Sequence, residues 1–172
     1  MSNLKEILKN KKICKSIWFM RQAGRYLPEF RHIRSQNPNF INLCLNSELS
    51  SDITLQPIKR FDLDSAIIFS DILMIPYASG CDVSFKEGVG PQVKFNEKFN
   101  FASHKLDPVI KGIESIKNAS EVPLIGFVGG PWTTLLYCLF DKEERSQMSK
   151  GLVNKNEKRI NTHIEDLTNL IS

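Results

Sequence analysis

Three short apolar runs constrain the fold of this chain more than any other feature; the first two end abruptly at polar residues and the third at Gly129-Gly130-Pro131. They occupy residues 17–20, 66–69 and 124–128, and each has the length of a buried strand. Segments with helical signals separate them. Strands that alternate with helices form right-handed βαβ units around a parallel sheet. The pattern therefore predicts an α/β protein with three principal strands.

Helices are expected before and between the first two strands. Residues 4–8 predict a short helical turn, and residues 29–35 predict a short helix that an Asn-Pro pair ends. Ser47 is a suitable N-cap for a further helix, because its hydroxyl can accept a hydrogen bond from a backbone N–H of the first turn. Pro57 should kink that helix or end it early, since proline lacks the N–H that a helix interior requires.

The later sequence predicts a hairpin and two further helices. Apolar residues that alternate with polar ones around a glycine-rich turn indicate the hairpin; they are Val83, Phe85, Val93 and Phe95. An Asx cap followed by proline marks a helix start at Asp107. The apolar positions expected on one face of that helix are Val109, Ile110, Ile113 and Ile116. The apolar positions of one long final helix are Val153, Ile160, Ile164, Leu167 and Ile171.

The number of strands bounds the size of the fold. Three strands cannot close an eight-stranded barrel. The last helix keeps its apolar stripe up to Ser172, with no cap beyond it. We therefore expect residues 1–172 to form one partial barrel domain, whose sheet is left open after the third strand. This expectation makes the chain a truncated form of a longer protein.

Composition excludes several classes of partner. The chain has 41% hydrophobic and 24% charged residues, as an ordinary globular protein does. Its net charge of +4 is small, and no run of basic residues interleaved with aromatics indicates a nucleic-acid surface. No apolar run approaches the ~18 residues of a membrane span, and the lysine-rich start lacks the apolar core of a secretion signal. We expect a cytoplasmic protein with no nucleic-acid or membrane partner.

Residues that commonly hold metals or cofactors form no motif. The four cysteines have no C-x-x-C spacing, so we expect buried or inert thiols rather than a zinc site or a disulfide framework. The sequence contains no GxGxxG, Walker A or HExxH pattern. The three histidines are far apart, and a lone histidine is more often a packing or surface residue than a ligand. We expect neither a metal nor a cofactor.

Two arginines follow the first apolar run, where a strand of an α/β barrel would open onto a ligand. Arg21 and Arg25 lie on either side of Ala23-Gly24. Each guanidinium is a permanently charged planar fork that matches a carboxylate or a phosphate. Gly24 permits backbone angles that other residues resist, which favours a loop over a helix. The alternative, two solvated surface arginines, is not excluded by the spacing alone.

The full string around these arginines, WFMRQAGRYLPEFR at residues 18–31, resembles the N-terminal signature of the uroporphyrinogen decarboxylase family. The resemblance continues in order at TLQP (54–57), AIIFSDIL (66–73), PLIGF (123–127) and PWT (131–133). It implies that the chain is the N-terminal portion of a (β/α)8 TIM barrel. Family enzymes are much longer, and this chain ends near their midpoint.

The resemblance implies an activity. Members of the family are carboxy-lyases that remove carbon dioxide from the four acetate arms of uroporphyrinogen III, which gives coproporphyrinogen III in haem synthesis. The reaction needs no cofactor, because a protonated pyrrole is itself the electron sink for decarboxylation. The implied substrate is therefore an anionic tetrapyrrole, and the implied assembly of the complete enzyme is a homodimer.

The resemblance also implies which residues act. Asp71 matches the family aspartate, whose carboxylate lies under the centre of the tetrapyrrole and stabilises the positive charge of the protonated ring. Arg21 and Arg25 would hold substrate carboxylates, and one of them is also a candidate proton donor. Tyr137 matches a tyrosine whose hydroxyl reaches the substrate and the aspartate. The remaining substrate-binding residues, which line the arginine loop, are Gln22, Ala23 and Gly24.

Several alternatives stay open. Outside the family context, Asp71 would be a helix cap and Tyr137 a core aromatic. Residues 138–144 depart from the glycine-rich segment of the family, so a different local loop is expected there. A further substrate-binding serine and a histidine lie in the second half of the family proteins. The alternative function is therefore a catalytically inactive fragment that at most binds anionic tetrapyrrole. A corrinoid methyltransferase with the same barrel is weaker, since such relatives generally lack the RQAGR loop.

Overall fold

The computed structural model describes residues 3–10, 15–86, 88–148 and 150–172. In these ranges the helices are α1 (Asn3–Asn10), α2 (Pro28–Gln36), α3 (Phe40–Cys44), α4 (Ser47–Arg60), α5 (Met74–Ala78), α6 (Asp107–Ala119), α7 (Pro131–Leu139), α8 (Lys142–Ser146), α9 (Lys150–Lys155) and α10 (Glu157–Ile171). The strands are β1 (Ala66–Ile67), β2 (Asp82–Lys86), β3 (Gly90–Lys94) and β4 (Leu124–Ile125). Within the same ranges no helix combines the length and the apolar character needed to cross a bilayer.

The chain divides into two compact units, each assembled from two separate segments. The first unit comprises Met1–Ser70 and Asp107–Phe127. The second unit comprises Asp71–Leu106 and Val128–Ser172. The expectation that residues 1–172 act as one partial domain stays a prediction.

The first unit is built on a parallel pair of strands, in which Ala66 of β1 lies opposite Leu124 of β4. The Ala66 N–H donates to the Pro123 carbonyl at 2.9 Å. The Ile68 N–H donates to the Ile125 carbonyl at 3.1 Å. Parallel neighbours require a long crossover connection, here the chain from residue 68 to residue 123. The prediction of parallel strands separated by helices is confirmed for this pair.

Two apolar clusters complete the first unit. One buries Leu55 of α4 and Ile116 of α6 together with Ile68 beside the strands. The other joins α2, α3 and α4 through four buried side chains, which are Leu27, Phe30, Leu43 and Ile53. Full burial of a side chain of this size contributes roughly 1.5–3 kcal/mol. Leu27 follows the loop that carries Arg21 and Arg25, so the second cluster fixes that end of the loop in the core.

The second unit contains the predicted hairpin. β2 and β3 are antiparallel, with Val83 opposite Val93. Gly88 and Gly90 in the turn have positive φ angles of 75° and 98°, which glycine adopts without strain. The alternation of apolar and polar residues therefore located this element correctly.

Helices α7 and α10 share the apolar core of the second unit. Its buried side chains are Leu135, Leu139, Phe140, Ile160 and Leu167. Partly buried residues of the hairpin exit and of α9 pack around them, among them Phe95, Phe99 and Val153. The apolar stripe that the sequence placed near its end is thus confirmed as a core face.

The first predicted strand is wrong. Residues 17–20 form no strand and their side chains are exposed, Met20 by 79%. Only Ile17 is tied: its carbonyl accepts from the Asp64 N–H at 2.9 Å, and its N–H donates to the Asp64 carboxylate at 2.7 Å. No second strand flanks the segment within the described residues, so its apolar side chains have no surface to cover. β1 and β4 are also shorter than predicted, for they end at Ile67 and Ile125.

Two details of α4 differ from prediction. Asn46, not Ser47, is the N-cap, and its side-chain oxygen accepts from the Leu49 N–H at 3.0 Å. Asparagine is as good a cap as serine, so the helix starts where the better-placed oxygen lies. Pro57 does not end the helix, which continues to Arg60. The ring of Pro57 is fully buried, and this burial offsets the single backbone hydrogen bond that proline removes.

Two predicted helical faces need correction. Ile110 is 53% exposed and so lies off the apolar face of α6, although Val109, Ile113 and Ile116 do pack. The long final helix is divided into α9 and α10 at Asn156. The side-chain amide of Asn156 donates to the Leu152 carbonyl at 3.0 Å. Asparagine side chains compete with the helical backbone in this way and favour helix ends.

Candidate functional site

The arginine segment is held against β1 by one buried side chain. Gln22 is only 3% exposed. Its Nε2 donates to the Ser65 carbonyl at 2.8 Å, and its Oε1 accepts from the Ile67 N–H at 3.1 Å. Gln22 was predicted to bind substrate, but both polar atoms of its side chain are committed to the backbone around β1.

The rest of the segment is tied down by its own neighbours. The Tyr26 hydroxyl donates to the Gln22 carbonyl, and the Leu27 N–H donates to the Gly24 carbonyl at 3.0 Å. The Arg31 guanidinium of α2 donates to the Arg25 carbonyl at 2.8 Å. These contacts close a tight turn between the Gln22 anchor and the start of α2. Sequence reasoning missed the roles of Tyr26 and Arg31, although both lie inside the string that carried the resemblance.

Arg21 and Arg25 are the exception in this tied segment. Both side chains are exposed. In the part of the chain that the structure describes, neither guanidinium has a hydrogen-bond or ion-pair partner. By contrast, Arg60 of the same unit is held by Glu29 at 2.9 Å. Each free guanidinium keeps five N–H donors for an anion from solution.

Ala23 and Gly24 occupy the middle of the turn. Ala23 is half-buried and packs on the cluster around Leu27. Gly24 lies outside any helix, as expected, but its φ is not positive, so this loop uses no backbone angle that only glycine adopts. A Cβ built on Gly24 would meet only the Tyr26 ring, at an ordinary 3.7 Å. Neither backbone strain nor packing within the described chain therefore accounts for a glycine at this position.

Asp71 opens the second unit, in the turn that leads into α5. Its Oδ1 accepts from the Leu73 N–H at 2.8 Å, and its carbonyl accepts from the Met74 N–H at 3.2 Å. The helix-cap alternative is wrong, because the N-cap of α5 is Leu73 and no side chain caps it. The Asp71 side chain instead closes the turn before the helix through one carboxylate oxygen. Burial raises the pKa of the Asp71 carboxyl above its ordinary value, and the Leu73 N–H partly opposes the rise.

Tyr137 lies on α7 and is half-buried. The Arg145 guanidinium lies over its ring, 4.2 Å from the centroid. Among the described residues, the Tyr137 hydroxyl has no hydrogen-bond partner. It borders a cavity of about 470 Å³ between the hairpin and the α7–α8 connection, which Lys86, Lys94 and Lys142 also line. The core-aromatic alternative therefore describes the ring, which is half-buried, but not the hydroxyl, which is available to a ligand.

The entry to α7 is the most crowded point of the second unit. A Cβ on Gly129 would lie 2.3 Å from the Thr134 Oγ1 and 3.0 Å from the Ile72 Cβ. Only glycine fits there, because real Cβ atoms do not approach other atoms so closely. The segment that follows Asp71 and the start of α7 are thus locked together within this unit.

The segment at residues 138–144, which departs from the family pattern, has a structural explanation. Asp141 caps α8 by accepting from the Glu143 and Glu144 N–H groups at 2.8 and 2.9 Å. The Glu144 carboxylate in turn accepts from the Asp141 N–H at 2.9 Å, which completes a capping box. The acidic pair three residues apart is a sequence signal for this motif and could have been recognised.

The three described thiols and His163 have structural roles. Cys44 in the first unit and Cys81 and Cys138 in the second are free and buried, as expected; Cys14 lies outside the described residues. A hydrogen bond with Cys81 and burial both raise the pKa of the Cys138 thiol, which keeps it protonated. His163 is 6% exposed and packs edge-on against phenylalanine rings, which agrees with the packing role expected of a lone histidine.

Comparison with solved structures identifies the fold class of this chain. It is similar to a methyltransferase from Methanosarcina mazei, with a TM-score of 0.61 and 16% sequence identity over 95% of this chain and 51% of that one. A likeness at this identity concerns the fold alone. Together with the family match below, it makes the chain an α/β protein that covers part of a TIM barrel.

The sequence match is more specific. The model of the uroporphyrinogen decarboxylase (URO-D) family matches residues 2–172. The chain is 44% identical over 151 residues to a uroporphyrinogen decarboxylase of Rickettsia rickettsii (strain Sheila Smith), which covers 82% of this chain and 44% of that protein. It is 47% identical over 148 residues to one of Magnetococcus marinus, covering 80% and 41% respectively. The chain belongs to the uroporphyrinogen decarboxylase family, and it spans less than half the length of these curated relatives.

The predicted resemblance is thereby confirmed, whereas the roles of individual residues stay predictions. The predicted site residues fall in both units. The arginine loop with Gln22, Ala23 and Gly24 belongs to the first, and Asp71 and Tyr137 belong to the second.

Proposed function

We propose that this chain carries the substrate-binding and catalytic residues of a uroporphyrinogen decarboxylase. The reaction would be the decarboxylation of the four acetate arms of uroporphyrinogen III to give coproporphyrinogen III, without a cofactor. Membership of the family and the names of its relatives support the proposal. The observation in the structure that carries it is that the guanidiniums of Arg21 and Arg25 have no hydrogen-bond or ion-pair partner among the described residues, on a loop that is otherwise tied down.

The arginine loop fits a polycarboxylate. Arg21 and Arg25 would each bind a substrate carboxylate, because a planar guanidinium donates two parallel hydrogen bonds to the two carboxylate oxygens. A guanidinium keeps its proton up to a pKa above ~12, so we propose carboxylate binding rather than proton donation for both. The open face of Gly24 supports the same role, since a missing Cβ lets a ligand approach the backbone closely.

Asp71 would act on the ring rather than on the side arms. Protonation of a pyrrole carbon creates a positive charge, into which the electrons of the breaking carbon–carbon bond flow as carbon dioxide leaves. A carboxylate held under the ring accepts hydrogen bonds from the pyrrole N–H groups and stabilises that charge. The Leu73 N–H fixes one oxygen of Asp71 and leaves the other for the substrate. Burial strengthens the interaction, because less water screens it.

Tyr137 would add a hydrogen bond from its unpartnered hydroxyl. Its ring is already held by Arg145, so the hydroxyl position is set before a ligand arrives. We propose a positional role for this residue, in which the hydroxyl orients the substrate or the Asp71 carboxylate.

A second candidate is binding without turnover. The observation that favours it is the length of the chain, which spans 44% of the Rickettsia relative. A chain that supplies the arginine loop but not every wall of the pocket would bind an anionic tetrapyrrole weakly and leave its acetate arms intact.

One experiment separates the two candidates. The purified 172-residue chain is incubated anaerobically with uroporphyrinogen III, and the products are oxidised and separated by their number of carboxylates. Loss of carboxylates supports the enzyme. A folded chain that binds uroporphyrin I, a stable octacarboxylate, but releases no carbon dioxide supports the binding fragment. A folded chain that neither binds nor reacts contradicts both. Sedimentation of the same sample tests the proposed homodimer.

A further inference from the structure

We propose that Gln22 is the positioning residue of the arginine pair: its side chain takes the place of a strand residue beside β1 and sets the location of both guanidiniums. The inference rests on the proposed function, since it concerns the same anion-binding loop. It assigns Gln22 no contact with the ligand.

The hydrogen bonds of Gln22 reproduce the pattern of a parallel ladder. In such a ladder one residue donates to a carbonyl on its neighbour strand and accepts from the N–H two residues further on. The Gln22 amide does this with the Ser65 carbonyl and the Ile67 N–H, at 2.8 and 3.1 Å. It therefore sits where a strand residue opposite Ala66 would sit.

The other edge of β1 is already occupied. Its N–H groups at Ala66 and Ile68 bond to the segment that contains β4. The edge at Ser65 and Ile67 has no strand beside it among the described residues, and the Gln22 side chain satisfies both of its polar groups. Among side chains that are ordinarily uncharged at neutral pH, a carboxamide alone offers a donor and an acceptor side by side in this geometry.

The position of this one side chain determines that of the loop. Arg21 precedes Gln22 directly. The Gln22 carbonyl holds the Tyr26 hydroxyl, so the turn that carries Arg25 closes back onto the same residue. Without the anchor, the start of the loop at Arg21 would have to be ordered when the anion binds, although Arg31 would still hold the Arg25 carbonyl. This ordering costs conformational entropy and weakens affinity.

The test measures binding of uroporphyrin I to the 172-residue chain by fluorescence, with circular dichroism to verify folding. Gln22→Met keeps the volume and removes both hydrogen bonds, so we expect about tenfold weaker binding. In Gln22→Glu, the protonation state of the new carboxyl group decides whether both hydrogen bonds to the β1 backbone can form. A protonated carboxylic acid has a donor and an acceptor, whereas the ionised form faces the Ser65 carbonyl with an oxygen that cannot donate.

Affinity is therefore measured from pH 5.5 to 8, always as a ratio to wild type at the same pH, because the ligand itself titrates. For Gln22→Glu we expect a ratio near one at the acid end and about tenfold weaker binding at the basic end. Thr54→Val is the matched control. Thr54 is 1% exposed and makes two comparable bonds, to the Ser50 carbonyl (2.7 Å) and from the Phe69 N–H (2.9 Å), but none to the loop. It should lower the melting temperature and leave affinity unchanged.

The outcomes distinguish a failure of the proposed function from a failure of the positioning role of Gln22 alone. Unchanged affinity in Arg21→Ala and Arg25→Ala, or no binding by wild type, overturns the proposed function and the positioning role with it. Arginine variants that weaken binding, beside a folded Gln22→Met that binds like wild type, overturn the positioning role alone. If Gln22→Met does not fold, the Gln22→Glu series decides. An affinity ratio that does not change with pH then contradicts the inference, and an affinity ratio that falls as pH rises supports it.

Discussion

The arginine loop and the Asp71 turn present charge in opposite ways. In the loop the backbone and the Gln22 side chain are hydrogen-bonded, while the two guanidiniums are exposed and unpaired. At the turn the charged group itself is half-buried, and it is tied through one oxygen to the Leu73 N–H. The difference follows from chemistry: an arginine stays charged in any setting, whereas a carboxylate loses or keeps its charge according to its surroundings.

This contrast implies that the exposed guanidiniums and the Asp71 carboxylate affect the stability of the fold differently. Exposed guanidiniums cost the fold little, so function there depends on holding the loop in place. Half-buried Asp71 costs stability when it is ionised, since desolvation raises the pKa of its carboxyl. A change at Asp71 should therefore separate turnover from stability, whereas changes in the loop should separate affinity from stability.

The largest expected effect is that of Asp71→Asn. Asparagine can still accept from the Leu73 N–H, but it carries no charge to stabilise a protonated pyrrole. Loss of one preorganised electrostatic group commonly costs on the order of 10²-fold or more in turnover. The measurement is the rate of carboxylate loss from uroporphyrinogen III, in whichever preparation containing this chain shows turnover. Binding of uroporphyrin I should change much less.

The thermal stability of Asp71→Asn should not fall with its turnover. Because the folded pKa of Asp71 is raised, its protonated form contributes stability that is present below the unfolded pKa and is lost as pH rises through the folded pKa. Asp71→Asn should therefore melt at or above the wild-type temperature at pH 7, and the difference should shrink toward pH 4. A variant with near-normal turnover, or one that melts lower at pH 7 only, would contradict this account of Asp71.

A pair of glycine substitutions comes next. Gly129→Ala places a Cβ 2.3 Å from the Thr134 Oγ1, so we expect a loss of about 1–3 kcal/mol in unfolding free energy. Gly24→Ala meets only the Tyr26 ring at 3.7 Å and should change stability by no more than ~0.5 kcal/mol. If Gly24 leaves room for a ligand, its alanine variant should weaken uroporphyrin binding nonetheless. Thermal melts and binding titrations of both variants test these expectations. Equal shifts in melting temperature would contradict them, because the loop at Gly24 would then be as crowded as the start of α7.

Local sequence signals predicted much of this molecule. The Asn-Pro pair ended α2 and the Asp-Pro pair began α6, because caps and prolines act within one turn. The hairpin followed from alternation. The family string supplied Arg21, Arg25 and Asp71 as candidates, which no periodicity would have selected.

What the sequence could not predict depends on distant partners. The Gln22 amide bonds to a carbonyl 43 residues away, so its structural role is invisible in the string around it. Residues 17–20 are apolar enough for a strand, but a strand requires a neighbour on the sheet, and apolar character does not reveal whether one is present. The pKa of Asp71 likewise depends on burial, which no residue near it in sequence determines.

Arg25→Ala tests the loop as an anion clamp. Removing one bidentate guanidinium should weaken uroporphyrin binding about tenfold, with little change in melting temperature, because that guanidinium makes no hydrogen bond or ion pair within the described chain. Arg60→Ala is the matched control: it removes the same charge, but that guanidinium is held by Glu29. Binding that falls equally in both variants would indicate general electrostatic attraction rather than a clamp.

The smallest expected effect is that of Tyr137→Phe. The ring and its contact with Arg145 are kept, so stability should not change, and only the hydroxyl hydrogen bond is lost. One such bond is worth about 0.5–1.5 kcal/mol, which corresponds to a few-fold to about tenfold reduction in affinity or turnover. Tyr77→Phe is a suitable control, since Lys105 lies over its ring in a similar way, 5.7 Å from the centroid. If Tyr137→Phe reduced turnover as much as Asp71→Asn does, the hydroxyl would take part in the charge stabilisation itself, and the division between a catalytic carboxylate and a positional tyrosine would not hold.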